Sequence, residues 1–150
     1  MTRAWPYFAA LIIAGLSLSS GSVTAHHAFS AEFDADAPVQ LQGKVTRIQW
    51  INPHAWIHIA AEQNDGSTVE WMIEGGTPNA LMRTGINRNS LAIGTEILVS
   101  GYQSKDKKCA PACKANGRDM TFLDGRKLFM GSSGTGAPRD GSDPREAPGR

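Results

Sequence analysis

The sequence lacks the features by which many binding and catalytic classes are identified. It has no glycine-rich phosphate loop, no C-x-x-C pair and no nucleophile placed beside a base at a diagnostic spacing. It also lacks an excess of positive charge, because 15 Lys and Arg, including Arg3 near the start, stand against 14 Asp and Glu. Since proteins that bind nucleic acid or anionic membranes depend on such an excess, we expect neither as a partner.

The chain also lacks an apolar run long enough to cross a membrane. Residues 8–18 form its apolar run, well short of the roughly 18–20 residues that a spanning helix needs. This run follows Arg3 and precedes Val23 and Ala25, small residues typical of a signal peptidase site. We therefore predict a secretory signal peptide over residues 1–25, His26 as the first mature residue, and a periplasmic or secreted protein that is not an integral membrane protein.

The mature chain is predicted to be one domain followed by a tail. Residues 131–150 contain no large apolar side chain, so they cannot bury enough surface to offset the entropy lost on ordering. We expect a disordered tail over residues 131–150 and a single folded domain over residues 26–130.

Alternation of apolar and polar residues predicts a mainly β domain. In residues 39–50 the alternation changes parity between Val45 and Ile48, which predicts a β-bulge, and Gly43 provides a place for a sharp bend. Further strands are predicted over residues 55–61, 69–74, 96–102, 118–123 and 126–129.

One short helix is predicted between the third and fourth strands. Thr77 is a suitable N-cap, Pro78 suits the first helical position, and Gly85 can end the helix. This order of elements is that of an OB-fold: a bent first strand, two more strands, a helix and then further strands. We therefore predict a small OB-like antiparallel β-barrel, and another small antiparallel barrel or a sandwich is the alternative.

Five short segments occur in a characteristic order. They are His-His-Ala-Phe at residues 26–29, Asn-Pro-His-Ala-Trp at 52–56, Pro-Asn-Ala-Leu at 78–81, Arg-Asn-Ser-Leu at 88–91 and Gly-Arg-Lys-Leu-Phe at 125–129. In these segments the chain resembles a family of small exported bacterial proteins of unknown function, from residue 25 to about residue 132. The resemblance implies export and a single small β-rich domain, and it implies no catalytic residue. The loop between Cys109 and Cys113 is not a feature of that family.

The four histidines fall in two places, which suggests a metal site. His26 and His27 begin the predicted mature chain, while His54 and His58 lie around the second strand. A terminal His26 offers its α-amine and a ring nitrogen, and one more imidazole completes a copper site of the kind called a histidine brace. Neutral imidazole is a common ligand of copper, zinc and nickel.

We predict a divalent metal site, with copper as the first candidate, formed by His26 with His27 or His54. His58 lies about 13 Å from His54 along an extended strand, so one ion is not expected to bind both. The alternative is that no metal binds, that His26 is first by chance and that His54 caps a turn.

Cys109 and Cys113 are the only cysteines, and in an exported protein such a pair indicates a disulfide. A thiol pair that binds copper or zinc is the alternative. Closing so short a loop adds little global stability.

We expect an exported binding module rather than an enzyme. The alternative to metal binding is a metal-free envelope interaction module that binds a peptide or glycan on the barrel face near Trp56 and His58. Glu70 and Glu74 alternate on one face of the third strand, and we predict that this face is solvated. A weaker hypothesis is an enzyme that uses Glu74 and His54 for acid–base chemistry.

Overall fold

The computed structural model of the protein describes residues 25–63, 65–131 and 137. The predicted signal peptide apart from Ala25, and the predicted tail apart from Gly131 and Ala137, lie outside these residues.

The described residues form six strands and two short helices, which confirms the prediction of a mainly β domain. The helix at residues 25–32 is an addition to the single helix that the sequence predicts. In chain order the elements are α1 (Ala25–Glu32), β1 (Phe33–Gln49), β2 (Trp56–Glu62), β3 (Thr68–Glu74), α2 (Pro78–Arg83), β4 (Glu96–Ser104), β5 (Cys113–Phe122) and β6 (Lys127–Phe129). Neither helix in this part of the chain has the length and apolar character that a membrane span requires.

The strands pair in the order β3-β2-β1-β4-β5-β6, and all neighbours in this order are antiparallel. In addition, β3 pairs with β5 in parallel, and Glu74 lies opposite Asn116. The register of β1 against β2 shifts between Val45 and Arg47, which confirms the predicted bulge in the first strand.

The core lies on the inward faces of these strands. Along β2 and β3 the alternate residues Ile57, Ile59, Trp71 and Ile73 are buried, as expected for strands with one face turned inward. They pack with apolar side chains from the other elements, among them Val45, Leu81, Ile86, Ile97, Val99 and Met120.

The helix α2 forms where the sequence predicts it. Oγ1 of Thr77 accepts a hydrogen bond from the backbone N–H of Ala80 at 3.2 Å, and Pro78 is the first residue of the helix. Leu81 is fully buried and anchors α2 to the core. Gly85 has a φ of 93° shortly after the helix, a conformation that glycine adopts without strain.

Two boundaries differ from the predictions. The strand β5 begins at Cys113, whereas the sequence predicts a strand that starts at residue 118. Residues 115–120 are all buried, because β5 pairs with β3 on one side and with β4 on the other, so the sequence shows no alternation there. The first strand begins at Phe33, before the alternating region that starts at residue 39.

Candidate functional site

His54 and Glu74 are brought together by the pairing of β2 with β3. His54 lies just before β2, and Glu74 is the last residue of β3, opposite Trp56. Two backbone hydrogen bonds extend this pairing, because Gly75 N–H donates to the Ala55 carbonyl at 2.8 Å and Ala55 N–H donates to Gly76 at 3.0 Å. As a result, Nδ1 of His54 lies 3.0 Å from Oε1 of Glu74.

The two side chains differ in exposure. Glu74 is only 6% exposed, whereas the side chain of His54 is 30% exposed. Among the described residues His54 has no polar contact other than the one from Nδ1 to Glu74. Its Nε2 therefore has no polar partner among the described residues, and the ring is partly open to solvent.

The carboxyl group of Glu74 is electrostatically perturbed. Burial, the largest effect, raises the pKa of Glu74 above its ordinary value of 4.5, and the charge of His54 opposes this rise. The nearby carboxylate of Glu32 raises the pKa further, while a hydrogen bond with Asn116 lowers it. The net direction is upward, so Glu74 holds its proton to a higher pH than an exposed glutamate does.

Polar side chains from α1 and β5 are linked to this pair through Glu74, on which Glu32 and Asn116 act directly. Glu32, the last residue of α1, lies 3.4 Å from Nζ of Lys114 in β5. Asn116 lies two residues further along β5, opposite Glu74 in the parallel pairing. We call His54, Glu74, Glu32, Lys114 and Asn116 the His54–Glu74 site.

The prediction that Glu70 and Glu74 lie on a solvated face is wrong for Glu74. Glu70 is half-exposed and accepts a hydrogen bond from Oγ1 of Thr46 at 2.6 Å, but Glu74 is buried. The parallel pairing with β5 covers the end of β3, and alternation within a single strand does not reveal such a contact.

His58 is held in a separate cluster. It is 4% exposed, with Nε2 3.1 Å from a guanidinium nitrogen of Arg47 and Nδ1 3.7 Å from Glu70. Burial and the charge of Arg47 lower the pKa of His58, and Glu70 acts against them. In this position the imidazole offers little surface to a ligand, and its neighbour Trp56 is half-buried.

The predicted metal ligands are only partly placed. His26 and His27 lie in α1, but their side chains are outside the described residues. Within the described part of the chain, no group of three or more His, Cys, Asp or Glu side chains is arranged to hold a metal ion. Of the three predicted ligands, His54 is therefore the one with a described side-chain environment.

The two cysteines are linked. Cys109 and Cys113 form a disulfide that closes a five-residue loop at the start of β5. Cys113 is buried and lies opposite Trp71 of β3, so the disulfide holds the loop against the sheet next to the parallel pairing.

Sequence reasoning named His54 and Glu74 but missed Glu32, Lys114 and Asn116. These three residues reach the site through α1 and through the β3–β5 pairing, which joins segments about 40 residues apart. No local pattern in the sequence signals that contact.

One comparison with known protein families gives a match. DUF6152, a family of unknown function, matches residues 14–112, which include α1 to β4 and the His54–Glu74 pair. No curated protein matches the chain. Because the match spans most of the chain, the protein belongs to DUF6152, a family of unknown function.

Proposed function

We propose that this protein is an exported small binding domain that holds a divalent metal ion, copper first, through His54 and the mature N-terminal histidines. His54 supplies its free Nε2, and His26 supplies its α-amine and ring nitrogen. His27 is the alternative partner of His26. Such a domain carries, buffers or senses the metal in the periplasm or outside the cell.

The observation that carries this proposal is the contact of Nδ1 of His54 with the buried carboxylate of Glu74 at 3.0 Å. Histidines that bind metals commonly donate their other ring N–H to a carboxylate, which fixes the tautomer and makes the free nitrogen more basic. His54 has this arrangement, and its side chain is partly exposed.

The position of α1 supports the participation of His26. Glu32 ends this helix close enough to Glu74 to affect its pKa. Because an α-helix rises about 1.5 Å per residue, the backbone of His26 is about 9 Å along the helix from Glu32. Cleavage after Ala25 would remove one residue of α1 and free the amine of His26. Because His26 then supplies two ligand atoms, only one residue has to be ordered to form two bonds to the metal.

The sheet pairings support the finer proposal that the domain is an OB-like barrel. The pairings lead from β3 through β2, β1, β4 and β5 back to β3, and α2 lies between β3 and β4. A bulged first strand and a helix at this place in the chain are features of the OB-fold.

A Cu(II) titration of the processed protein tests the metal site, after intact mass has established that His26 is the first residue. We expect sub-micromolar binding of one ion per chain. An extra residue before His26 removes the terminal chelate, and His54→Ala removes the third nitrogen, so each change should weaken binding by about tenfold or more.

Two further variants make the titration specific. His27→Ala distinguishes the two alternatives, because it weakens binding only if His27 replaces His54 as a ligand. His58→Gln is the control, since His58 is buried in another cluster. Thermal melting first checks that this variant is folded, and its affinity for Cu(II) should then equal that of the natural protein. Binding that is indifferent to the free terminus would refute the proposal.

A further inference from the structure

A second candidate site lies around Trp50, which follows β1. One hollow of about 520 Å³ is lined by Trp50, by Pro78 and Met82 of α2, and by Arg88 and Asn89. A second hollow of about 190 Å³ is lined by Trp50, Arg88 and Ile93 among others. Because Trp50 and Arg88 line both, the two hollows adjoin, and we call them together the Trp50 groove.

The rims of the Trp50 groove expose large apolar side chains. Met82 is 53% exposed in the first hollow, and Ile93 is 75% exposed in the second. Exposed apolar side chains that border one continuous groove are typical of an interaction surface, whereas single scattered ones carry no such meaning.

The one charged side chain that lines the two described hollows is positive, that of Arg88. Between Glu74 and Glu96 the only charged residues are Arg83 and Arg88. Arg88 lines both hollows, and it forms no ion pair with another described residue. A partner that fits this surface therefore presents apolar groups on both sides of an anionic group.

The loop that carries Arg88 is held in one conformation by hydrogen bonds within it. Oδ1 of Asn87 accepts hydrogen bonds from the backbone N–H groups of Asn89 at 2.9 Å and Ser90 at 3.1 Å. The hydroxyl of Ser90 donates to the carbonyl of Gly85 at 3.0 Å. A preformed groove loses less conformational entropy when it binds a partner, which favours recognition of a flexible segment.

We propose that the Trp50 groove binds an extended peptide segment of a partner protein in which an acidic residue is flanked by apolar ones. The apolar side chains occupy the two hollows on either side of Trp50, and the carboxylate pairs with Arg88. The protein's own residues 131–150 contain no large apolar side chain, so they do not meet this requirement. This site is independent of the proposed metal site.

The test mixes metal-free processed protein with a labelled peptide in which Asp lies between Leu and Phe. Fluorescence anisotropy and NMR measure the binding of this peptide. We expect saturable binding, with chemical shift changes at the Trp50 indole and the Met82 methyl group. Arg88→Glu should weaken binding by about tenfold or more, as for a charged anchor at an interface. Lys44→Glu makes the same change of charge on exposed β1 and should leave binding unchanged.

The control peptide has Lys in place of Asp and should bind at least tenfold more weakly, by the same electrostatic argument. Met82→Ser removes the apolar side chain without adding charge, at a position that is 53% exposed, and it should also weaken binding. Shift changes away from the groove, or equal binding of both peptides, would overturn the proposal. So would binding of phosphatidylglycerol vesicles with no binding of the acidic peptide, which would identify a lipid surface instead.

Discussion

Nδ1 of His54 lies 3.0 Å from Oε1 of Glu74, and the carboxyl group of Glu74 is buried while the imidazole reaches solvent. The buried partner holds the ring through Nδ1, and Nε2 has no polar partner among the described residues. This division of roles is typical of a ligating histidine with a carboxylate behind it. It also makes the stability of the folded protein depend on pH, because an ionised carboxylate loses hydration when it is buried.

The first prediction concerns the pH dependence that Glu74 causes. Burial raises the pKa of Glu74 in the folded protein above its ordinary value of 4.5, so folding favours the protonated form. The stabilisation is full below pH 4.5 and is lost as the pH rises through the raised folded-state pKa. Glu74→Gln, which imitates the protonated form, should lack this loss.

Urea unfolding of the natural protein and Glu74→Gln over a pH series measures this effect. The free energy of unfolding of the natural protein, relative to that of the variant, should fall with rising pH. A constant difference between the two proteins would contradict a raised pKa.

The second prediction concerns His58 and has the opposite sign. Burial and Arg47 lower the pKa of His58 below its ordinary value of 6.5, so folding favours the neutral imidazole. The stabilisation is present above pH 6.5 and is lost as the pH falls through the lowered folded-state pKa. Relative to His58→Gln, the natural protein should therefore become less stable on acidification. Parallel stability curves for the two proteins would refute this assignment.

The elements that the sequence predicts correctly are specified by nearby residues. The bulge in β1 follows from a parity change over a few positions, and α2 follows from Thr77 and Pro78 at its start. The hydrogen bonds that define these features join residues close in the sequence or on adjacent antiparallel strands, so alternation and capping residues are enough to predict them.

The environment of Glu74 is not specified locally. Asn116 of β5 lies opposite Glu74 in the parallel pairing, and the charge of Glu32 of α1 acts on its pKa. A parallel pairing between distant segments leaves no alternation to detect. For the same reason the sequence places Glu74 on a solvated face. The Trp50 groove was also missed, because Trp50, Arg88 and Ile93 come from separate segments that meet only in the folded domain.

The third prediction concerns Gly43, where the structure leaves no room for a side chain. A Cβ atom there would lie 2.8 Å from the carbonyl carbon of Ala60 and 2.9 Å from Cα of Ala61. Both are backbone atoms of the paired strand β2 and cannot move independently. Gly43→Ala should therefore destabilise the domain by about 1–3 kcal/mol through steric strain.

Urea unfolding of Gly43→Ala checks this value, and Lys44→Ala is the matched control at the next, exposed position of β1. The control should change the free energy of unfolding by no more than about 0.5 kcal/mol. Equal stability of the two variants would contradict the prediction. It would show that the backbone of β2 shifts at Ala60 to accommodate the added Cβ atom.

The last prediction concerns Thr77, whose hydroxyl accepts the N-terminal hydrogen bond of α2 from Ala80 at 3.2 Å. Thr77→Ala leaves that N–H without a side-chain partner and should reduce stability by about 0.5–2 kcal/mol. Thr77→Ser keeps the hydroxyl and should retain most of the stability. Because α2 also carries Pro78 and Met82 into the Trp50 groove, Thr77→Ala should weaken binding of the acidic peptide as well. If Thr77→Ala and Thr77→Ser are equally stable and bind the peptide equally, the cap neither stabilises α2 nor shapes the groove.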